Sequence, residues 1–389
     1  MCKVSIILPS LNVIRYIRQC LDSVVNQTLR EIELICVDAG STDGTLEVLR
    51  EYESRDARVQ VIVSDRKSYG YQMNLGLRAA KGEYVGIVET DDYVPLNMFE
   101  DLYAIAVEQR VQIVKADFYR FKEKDGMIER AYNRLDGTDT YYNRVICPGQ
   151  EQGVFRMIMN TWSGIYERAF LLEHGIVHNE TPGASFQDNG FWFKTFCCAE
   201  RAYFVPRPYY MNRRDNADSS VFSDSKVYCI SDEYAHIYDW LKEDEARFKR
   251  FISVFTLKEY HSMIFTYGRI KDEYKQEFVR HFGERMRSRL GAQECDRKLF
   301  TPMEWHMLNQ IANEPDTFAA VRGAGFVSKA GLTVGSAVPA LKKAICKVDY
   351  LVNQAALMFS WIAFFGPVKL MRRRQWKCKM DTVKKEKNV

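Results

Sequence analysis

The sequence lacks the marks of several protein classes. Its 389 residues include ten cysteines, but no Cys-x-x-Cys pair occurs and several cysteines lie inside apolar runs. This pattern favours reduced, buried thiols over a disulfide framework. The first residues lead straight into an apolar run, without the charged segment, apolar stretch and cleavage site of a secretory signal. We therefore expect a cytoplasmic protein.

Charge of one sign is not in excess either. Lys and Arg number 55 and Asp and Glu number 51, so the formal net charge is only +4. A balance this small and evenly mixed argues against a nucleic-acid partner. No Gly-x-Gly-x-x-Gly follows a predicted strand, and no Gly-Lys-Ser/Thr loop occurs. The dinucleotide-binding and P-loop classes therefore lose their main support.

A long apolar run is also missing. Residues 350–368 carry no charge, but polar residues and a proline leave an apolar core of about eleven residues, against the roughly 20 that a spanning helix needs. Basic residues flank this stretch on both sides, among them Lys342, Lys347, Arg372 and Arg374. The pattern favours a segment at about 340–380 that lies on the inner membrane surface, held by anionic lipid; a buried terminal helix is the alternative.

The first 120 residues alternate short apolar runs with amphipathic ones. Strands are predicted at 4–8, 32–37, 59–63, 84–88 and 113–118, and helices after Asn12, as their N-cap, and at 45–52, 70–80 and 96–108. This alternation predicts an α/β fold with a mostly parallel sheet covered on both faces. Right-handed crossovers place the carboxyl ends of the strands on one side, where ligands of such sheets bind. Beyond it, we expect a hairpin or excursion at 120–150 and mainly helical structure from about 225 to 310.

The segment Glu89-Thr90-Asp91-Asp92 follows the fourth predicted strand. Adjacent carboxylates repel each other unless a cation lies between them, and Mg²⁺ or Mn²⁺ takes one or two carboxylates together with substrate phosphates. Such a metal neutralises charge on a departing nucleoside diphosphate. The alternative is a helix N-cap.

A second polar segment follows the second predicted strand. Asp38 can accept hydrogen bonds from a base or a ribose, and Gly40 and Gly44 allow a tight turn ahead of the next helix. A plain strand–turn–helix corner is the alternative.

Four ordered motifs resemble the family 2 inverting glycosyltransferases. They are VSIILPSLN at 4–12, ICVDAGSTDG at 35–44, NLGLRAAKGEYV at 74–85 and VETDDYV at 88–94. The resemblance implies a GT-A fold, a nucleotide-binding α/β sandwich followed by an acceptor-side region. It divides the chain into a transferase domain at 1–220, with a donor half at 1–110 and an acceptor half at 111–220, and a helical region at 221–389.

The resemblance also implies roles for individual residues. The metal would be held by Asp91 and Asp92. The donor site would be formed by Pro9, Ser10, Asn12, Asp38, Gly40, Ser41, Asn74, Gly76, Glu89 and Asp91. The sequence departs from the family pattern at Ala39, Met73 and Glu89, which leaves the ligand set of the metal open.

A second block resembles a bacterial subgroup that builds surface polysaccharides, through NTWSGIYERAF at 160–170, TPGASFQDNGFWF at 181–193 and YYMNRRDNADSSV at 209–221. In that comparison Asp188 occupies the place of the general base. An inverting transfer requires a carboxylate that takes the proton of the acceptor hydroxyl. The alternative for Asp188 is a helix N-cap.

Three further pairs of residues are candidates for a function. The first two pairs have a functional and a structural interpretation, and the third has a structural one. Trp162 and Trp192 could stack on a sugar or pack in the core. Arg213 and Arg214 could hold diphosphate oxygens or be surface charges. The third pair, His174 with His178, is predicted to be exposed rather than to bind zinc.

Together these patterns predict a metal-dependent inverting hexosyltransferase that moves a sugar from a UDP-sugar to a glycan or lipid-linked glycan. Two alternatives stay open at this point. One is a catalytically inactive glycan-binding or scaffold subunit. The other is a sugar nucleotidyltransferase, which would need a Gly-rich basic loop after the first strand, where Pro9 and Ser10 stand instead.

Overall fold

The structure, a computed structural model, describes residues 1–124, 127–216 and 227–320. The chain divides into two compact units, Met1–Lys271 and a second unit that begins at Asp272. The first unit contains all the strands of the described residues. It also contains all the predicted site residues, because every one of them precedes Lys271. It extends past residue 220, because two helices that follow that position belong to it.

Strands and helices alternate through the first 110 residues as predicted. The elements are β1 (Val4–Ser10), α1 (Ile17–Val25), β2 (Ile32–Asp38), α2 (Thr45–Arg55), β3 (Val59–Val63), α3 (Tyr69–Ala79), β4 (Tyr84–Ile87) and α4 (Met98–Gln109). Every residue of β1 and β4 is buried, as expected for strands covered on both faces.

The rest of the first unit mixes strands and helices. It contains β5 (Ile113–Lys124), β6 (Met127–Asn133), β7 (Val145–Ile146), β8 (Gly164–Glu167), α5 (Arg168–Glu173), α6 (Gln187–Cys198), β9 (Ala202–Arg213), α7 (Cys229–Lys242) and α8 (Glu245–Tyr267). The second unit contains α9 (Asp272–Gly291) and α10 (Pro302–Asn313). A capping box between Thr301 and Glu304 begins α10, and it satisfies two backbone donors at that helix end.

One sheet of nine strands runs through the first unit in the order β3-β2-β1-β4-β8-β5-β9-β7, with β6 paired to β5. Strands β3, β2, β1 and β4 are all parallel, and β5 is parallel to β9. Strand β8 lies antiparallel between β4 and β5 and so joins the two parallel parts. The predicted α/β class with its largely parallel sheet is confirmed.

The structure corrects the start of the first helix. Asn12 was expected to cap it, but α1 begins at Ile17 and its N-cap is Tyr16. Asn12 has a positive φ of 53°, a conformation that asparagine tolerates better than most residues. Its side chain bonds to another loop instead, as described below. The expected excursion after residue 120 is a hairpin, because β5 continues to Lys124 and pairs with β6.

Helix α3 packs closely on β1. A Cβ atom at Gly76 would come within 2.5 Å of the Cγ2 atom of Ile7, and Ile7 is itself buried in the sheet. Glycine at this position therefore lets the helix backbone approach the strand, which is a packing role.

No helix in the three described segments combines the length and apolar composition needed to cross a membrane. The predicted membrane-surface segment at about 340–380 lies outside the described residues.

We expect Gly76→Ala to destabilise the first unit by about 1–2 kcal/mol, because the overlap with Ile7 outweighs the better helix propensity of alanine. Urea unfolding followed by circular dichroism would measure this change. The matched control is Gly268→Ala, where the nearest atom to the new Cβ is 3.5 Å away and we expect a change within about 0.5 kcal/mol. Equal effects of the two substitutions would contradict the packing role.

Candidate active site

The carboxyl ends of β1 and β2 carry two turns that are bonded to each other. The backbone N–H of Asn12 donates to Ser41 Oγ at 2.9 Å, and the N–H of Thr42 donates to Asn12 Oδ1 at 2.9 Å. The side chain of Asn12 thus fixes the turn after β2 relative to the turn after β1. This explains its left-handed backbone and brings together the predicted donor residues of both turns.

Asp38 organises the second of these turns. Its Oδ1 atom accepts the N–H groups of Gly40 and Ser41 at 2.9 and 2.8 Å, and its Oδ2 atom accepts the Ser41 hydroxyl at 2.5 Å. Gly40 has a φ of +82°, which suits glycine. The buried Asp38 carboxylate keeps some acceptor capacity, since each carboxylate oxygen has two lone pairs.

The loop after β4 carries the predicted metal residues. Asp92 is buried and accepts the backbone N–H of Arg213 at Oδ1, at 2.6 Å, and Asn212 Nδ2 at Oδ2, at 3.0 Å. Asp91 is half-buried, and Asn216 Nδ2 donates to its Oδ2 at 2.9 Å. Both oxygens of Asp92 thus accept hydrogen bonds from the protein, whereas the half-buried Asp91 is more accessible to a ligand.

Burial and neighbouring carboxylates raise the pKa of two acids in this loop, Glu89 and Asp92. Burial raises the pKa of Glu89 to about 8, with contributions from the nearby Asp91 and Asp188 carboxylates. Burial also raises the pKa of Asp92 well above its usual range, and Asp91 is the next largest cause. Like charges concentrated at one buried corner indicate a place where a cation would be stabilised.

The donor set fits a hard divalent cation bound partly by substrate. Within the described residues, no group of three or more His, Cys, Asp or Glu side chains is arranged to hold a metal on its own. Mg²⁺ and Mn²⁺ do not need such a cage, because one or two carboxylates and substrate phosphates suffice. Asp91 fits this role, with Asp92 beside it.

Asp188 lies at the same crevice, far along the chain from Glu89. It occupies the first turn of α6, whose N-cap is Phe186, so the N-cap interpretation of Asp188 is wrong. Burial raises the pKa of Asp188, against the lowering effect of its own N–H and that of Asn189. The Asp188 carboxylate interacts electrostatically with Glu89 and with Tyr69, and the Tyr69 hydroxyl donates to Glu89 Oε1 at 2.7 Å.

Comparison with known proteins agrees with this geometry. The sequence profile described as "Glycosyl transferase family 2" matches residues 5–170. Glycosyltransferase GlyG of Streptococcus pneumoniae serotype 4 is 30% identical over 223 residues, which are 54% of this chain and 70% of GlyG. The chain belongs to glycosyl transferase family 2. The predicted resemblance is thereby confirmed.

Two further comparisons show the range of the similarity. Glycosyltransferase GlyA of the same organism is 29% identical over 240 residues, which are 59% of this chain but only 33% of GlyA. The crystal structure of S. aureus TarS 1–349 has a TM-score of 0.60 at 19% identity, and it covers 87% of this chain and 94% of that one. This structural likeness supports the predicted GT-A fold.

Asn74 joins α3 to the segment around His178. Its Nδ2 atom donates to the carbonyl of His178 and to Glu180 Oε1, both at 2.9 Å. The N–H of His178 donates to Asn74 Oδ1 at 2.9 Å. Asn74 therefore fixes the segment that leads towards α6. Gly76, two residues further along α3, packs on β1.

Sequence reasoning missed two buried polar residues of the site. Gln72 Nε2 donates to the carbonyls of Ser10 and Val37 at 3.0 and 2.7 Å, which fixes the ends of β1 and β2. Glu233 accepts the N–H of Gly190 at 3.1 Å and Asn179 Nδ2 at 3.0 Å. Burial raises the pKa of Glu233 to about 7, with a contribution from Asp188.

A signal for Glu233 was present in the sequence. It lies at helical spacing among the buried apolar residues Ile230, Tyr234 and Ile237 of α7. An acid on the apolar face of an amphipathic helix needs buried partners, so the pattern indicates a buried, hydrogen-bonded carboxylate at this position.

The two tryptophans and two arginines separate into different roles. Trp192 is buried and stacks on Phe196, with ring centroids 4.0 Å apart, so the core interpretation holds. Trp162 is half-buried, and its ring centroid lies 4.3 Å from that of Tyr210. The buried Arg213 donates to the Asp91 carbonyl at 2.9 Å, whereas Arg214 is exposed.

His174 is exposed as predicted, but the prediction for His178 is wrong. His178 is buried and stacks on Phe191, with ring centroids 4.3 Å apart and 9° between the planes. It was expected at the surface because Gly175 interrupts the segment between the two histidines and no third metal ligand lies near in sequence. Burial lowers its pKa to about 3, with a smaller effect from Lys194.

We expect His178→Phe to flatten the pH dependence of stability in mild acid. Below pH 6.5 this histidine is protonated in the unfolded state, whereas in the folded state it stays neutral until about pH 3. The free energy of unfolding therefore falls by about 1.4 kcal/mol per pH unit. Urea unfolding at pH 7 and pH 5 should show that the wild type loses about 2 kcal/mol more than the variant does. His174→Gln, at an exposed position, should lose as much as the wild type. Equal losses in the wild type and His178→Phe would contradict the buried neutral histidine.

Proposed function

We propose that this glycosyltransferase transfers a hexose from a UDP-sugar, with inversion and with a divalent cation, to a glycan or lipid-linked glycan acceptor. One observation carries the proposal: Asp188 lies within electrostatic reach of Glu89, in the loop that also carries Asp91 and Asp92. A transferase of this kind needs a base and a diphosphate-binding centre on the same crevice. The crystal structures similar in fold include S. aureus TarS in complex with UDP-GlcNAc and with UDP, which supports a UDP-sugar donor.

The donor nucleoside would bind at the ends of β1 and β2. Asp38 keeps acceptor capacity beyond its three turn bonds, which suits a base or ribose donor group. The hydroxyl oxygen of Ser10 is buried and has no hydrogen-bond partner among the described residues. A buried hydroxyl left unsatisfied is costly unless a ligand or water bonds to it, so Ser10 supports a ligand at this edge.

The diphosphate would lie beside the loop after β4. Asp91, with Asp92 beside it, would hold Mg²⁺ or Mn²⁺, which when bound neutralises negative charge on the departing UDP. Asp92 contributes chiefly by fixing the loop, since both of its oxygens already accept hydrogen bonds.

Asp188 would act as the general base. Its carboxylate takes the proton of the acceptor hydroxyl while that oxygen forms a bond to the anomeric carbon. The bond from the same carbon to the diphosphate breaks, and the electron pair leaves with UDP. Because attack comes from the face opposite the diphosphate, the configuration inverts. Burial raises the pKa of Asp188, which makes it a stronger base than an exposed aspartate.

The acceptor would approach from the side of β5 and β9. Half-buried Trp162, supported by Tyr210, offers an aromatic surface of the kind on which sugars stack. We infer a role in building surface polysaccharide, with the enzyme peripheral at the inner face of the cytoplasmic membrane. The basic tail outside the described residues supports the membrane side of this inference.

A UDP-release assay over UDP-glucose, UDP-galactose and UDP-GlcNAc should identify the donor, since slow hydrolysis without acceptor still releases UDP. We expect Asp188→Asn to lower transfer by about 10²–10⁴-fold, the usual contribution of a general base, while UDP affinity measured by calorimetry stays within about twofold. The control is Asp232→Asn, an exposed acid in the first turn of α7. A parallel loss of UDP affinity in Asp188→Asn would remove Asp188 from the base role.

We expect chelation with EDTA to abolish sugar transfer and added Mn²⁺ or Mg²⁺ to restore it. Asp91→Asn should weaken UDP binding about tenfold or more in the presence of metal, and little in its absence, because only the metal-dependent part of the affinity is lost. Calorimetric titrations with and without Mn²⁺ measure both effects. Metal-independent UDP binding in the wild type would contradict the metal centre, and no UDP binding at all would favour the inactive scaffold subunit.

A further inference from the structure

Glu233 is a buried acid beside the candidate active site that the transfer reaction described above does not use. It lies in α7 and is only 1% exposed. Both of its carboxylate oxygens accept hydrogen bonds, Oε1 from the N–H of Gly190 at 3.1 Å and Oε2 from Asn179 Nδ2 at 3.0 Å. A carboxylate enclosed in this way does not reach an acceptor hydroxyl, so Glu233 is not itself the base of the transfer.

The bond to Gly190 holds the end of the helix that carries Asp188. Gly190 is the fourth residue of α6, and the first four N–H groups of an α-helix have no partner within the helix. Glu233 supplies the partner for one of them. In α-helical geometry the Cα atoms of Asp188 and Gly190 are ~5.4 Å apart. A carboxylate bonded to Gly190 therefore lies within one helical turn of Asp188.

Glycine at position 190 allows this contact. A Cβ atom at Gly190 would come within 2.2 Å of Glu233 Oε1, which is closer than the two atoms can approach. The carboxylate of α7 thus reaches the backbone of α6 directly, where any side chain would push it away. A single substitution at Gly190 is therefore expected to displace the carboxylate without removing it.

The bond to Asn179 connects Glu233 to the segment that α3 holds in place. Asn179 lies between His178 and Glu180, and both of these neighbours bond to Asn74 of α3. Glu233 thus joins α7, the beginning of α6 and a segment anchored on α3. These three parts of the fold meet at the point where the helix that carries Asp188 begins.

Glu233 also changes its charge near neutral pH. Burial raises the pKa of Glu233 to about 7, and of the two charged side chains of α6 that act on it, Lys194 opposes this effect and Asp188 adds to it. The Lys194 Nζ atom lies 3.2 Å from His236 Nε2, the partner it contacts on α7. A carboxyl group with such a pKa is mostly neutral at pH 6 and mostly negative at pH 8.

We propose that Glu233 is a positioning residue for the general base Asp188, whose helix it holds through Gly190 and whose carboxylate its negative charge makes a stronger proton acceptor. Two like charges close together each favour the uptake of a proton by the other. General-base catalysis improves as the base becomes stronger. This inference rests on the base role of Asp188 in the proposed function.

The titratable groups around Asp188 come from three elements. They are Glu89 of the loop after β4, Tyr69 of α3, and Glu233 and Tyr234 of α7. Burial raises the pKa of both tyrosines, so they stay neutral between pH 6 and pH 8. The contribution of Glu89 is common to the wild type and to variants of Glu233. A comparison of the two proteins at each pH therefore isolates Glu233.

Glu233→Gln tests the charge, because glutamine keeps the length of the side chain and an oxygen that accepts the Gly190 N–H. UDP release is measured with saturating UDP-glucose, UDP-galactose or UDP-GlcNAc and Mn²⁺, with water as the acceptor. We expect kcat of the variant to lie within twofold of the wild type at pH 6, where Glu233 is neutral. At pH 8 it should be about threefold or more below the wild type, while KM and UDP affinity stay within twofold.

The matched control is Asp232→Asn, which removes a charge from an exposed position of the same helix and should follow the wild type at both pH values. Should Glu233→Gln fail to fold, Gly190→Ala takes its place. The displaced carboxylate should then cause a larger loss of kcat at pH 8 than at pH 6.

A second measurement needs no catalysis. The Asp188 carboxyl carbon is followed by ¹³C NMR and assigned with Asp188→Asn. Its titration midpoint should lie at lower pH in Glu233→Gln than in the wild type, because a neighbouring negative charge is removed.

Equal losses of kcat at pH 6 and pH 8 in Glu233→Gln would leave Glu233 with a structural role alone and overturn the proposal. An unchanged titration of Asp188 would overturn it as well. A wild type that releases no UDP from any of the three sugars, but whose Asp188 titration moves in Glu233→Gln, would refute the proposed function and still support the coupling of the two carboxyl groups.

Discussion

The Asp92 carboxylate is the interaction on which the site depends. It is buried, and it joins the loop after β4 to the end of β9 through the N–H of Arg213 and the amide of Asn212. Backbone bonds between Tyr93 and Met211 continue the junction. A buried carboxylate without such donors would be strongly unfavourable. Asp92 therefore fixes where the parallel strands β1 to β4 meet β9, and this gives the neighbouring Asp91 a defined position.

This junction explains why adjacent acids in one motif have different tasks. Sequence alone treats Asp91 and Asp92 as equivalent, because both follow the same strand and both carry oxygen ligands. Strand β9 determines which of the two carboxylates is hydrogen-bonded within the fold, and it lies more than a hundred residues further along the chain. Local spacing cannot contain that information. The same holds for Asn74, whose amide is committed to the backbone of His178.

The fold itself was largely predictable. Apolar runs such as those of β1 and β2 have the length and β-branched composition of strands buried on both faces, and that local pattern determines the alternation and hence the parallel sheet. The insertion of β8 between β4 and β5 was not predictable, since pairing of distant strands depends on tertiary contacts. Nor was the left-handed turn at Asn12, because its cause is a hydrogen bond to the turn after β2. Gln72 was missed for a related reason: its partners are the backbone carbonyls of Ser10 and Val37, which leave no sequence motif.

The hydrogen bonds of Asp92 and its neighbours also determine how charge is distributed in the crevice. On one side stand the carboxyls of Asp91 and Asp188, which add to the effect of burial in raising the pKa of Glu89. On the other side stands Arg214, which adds to the effect of burial in lowering the pKa of Arg120. The two groups interact, because Asp92 and Asp91 favour the charged form of Arg214. A field of this kind has its lowest energy when the acidic side binds a cation and the basic side binds an anion. The proposed sugar nucleotide with its metal would satisfy both sides at once, because its cation and its diphosphate carry opposite charges.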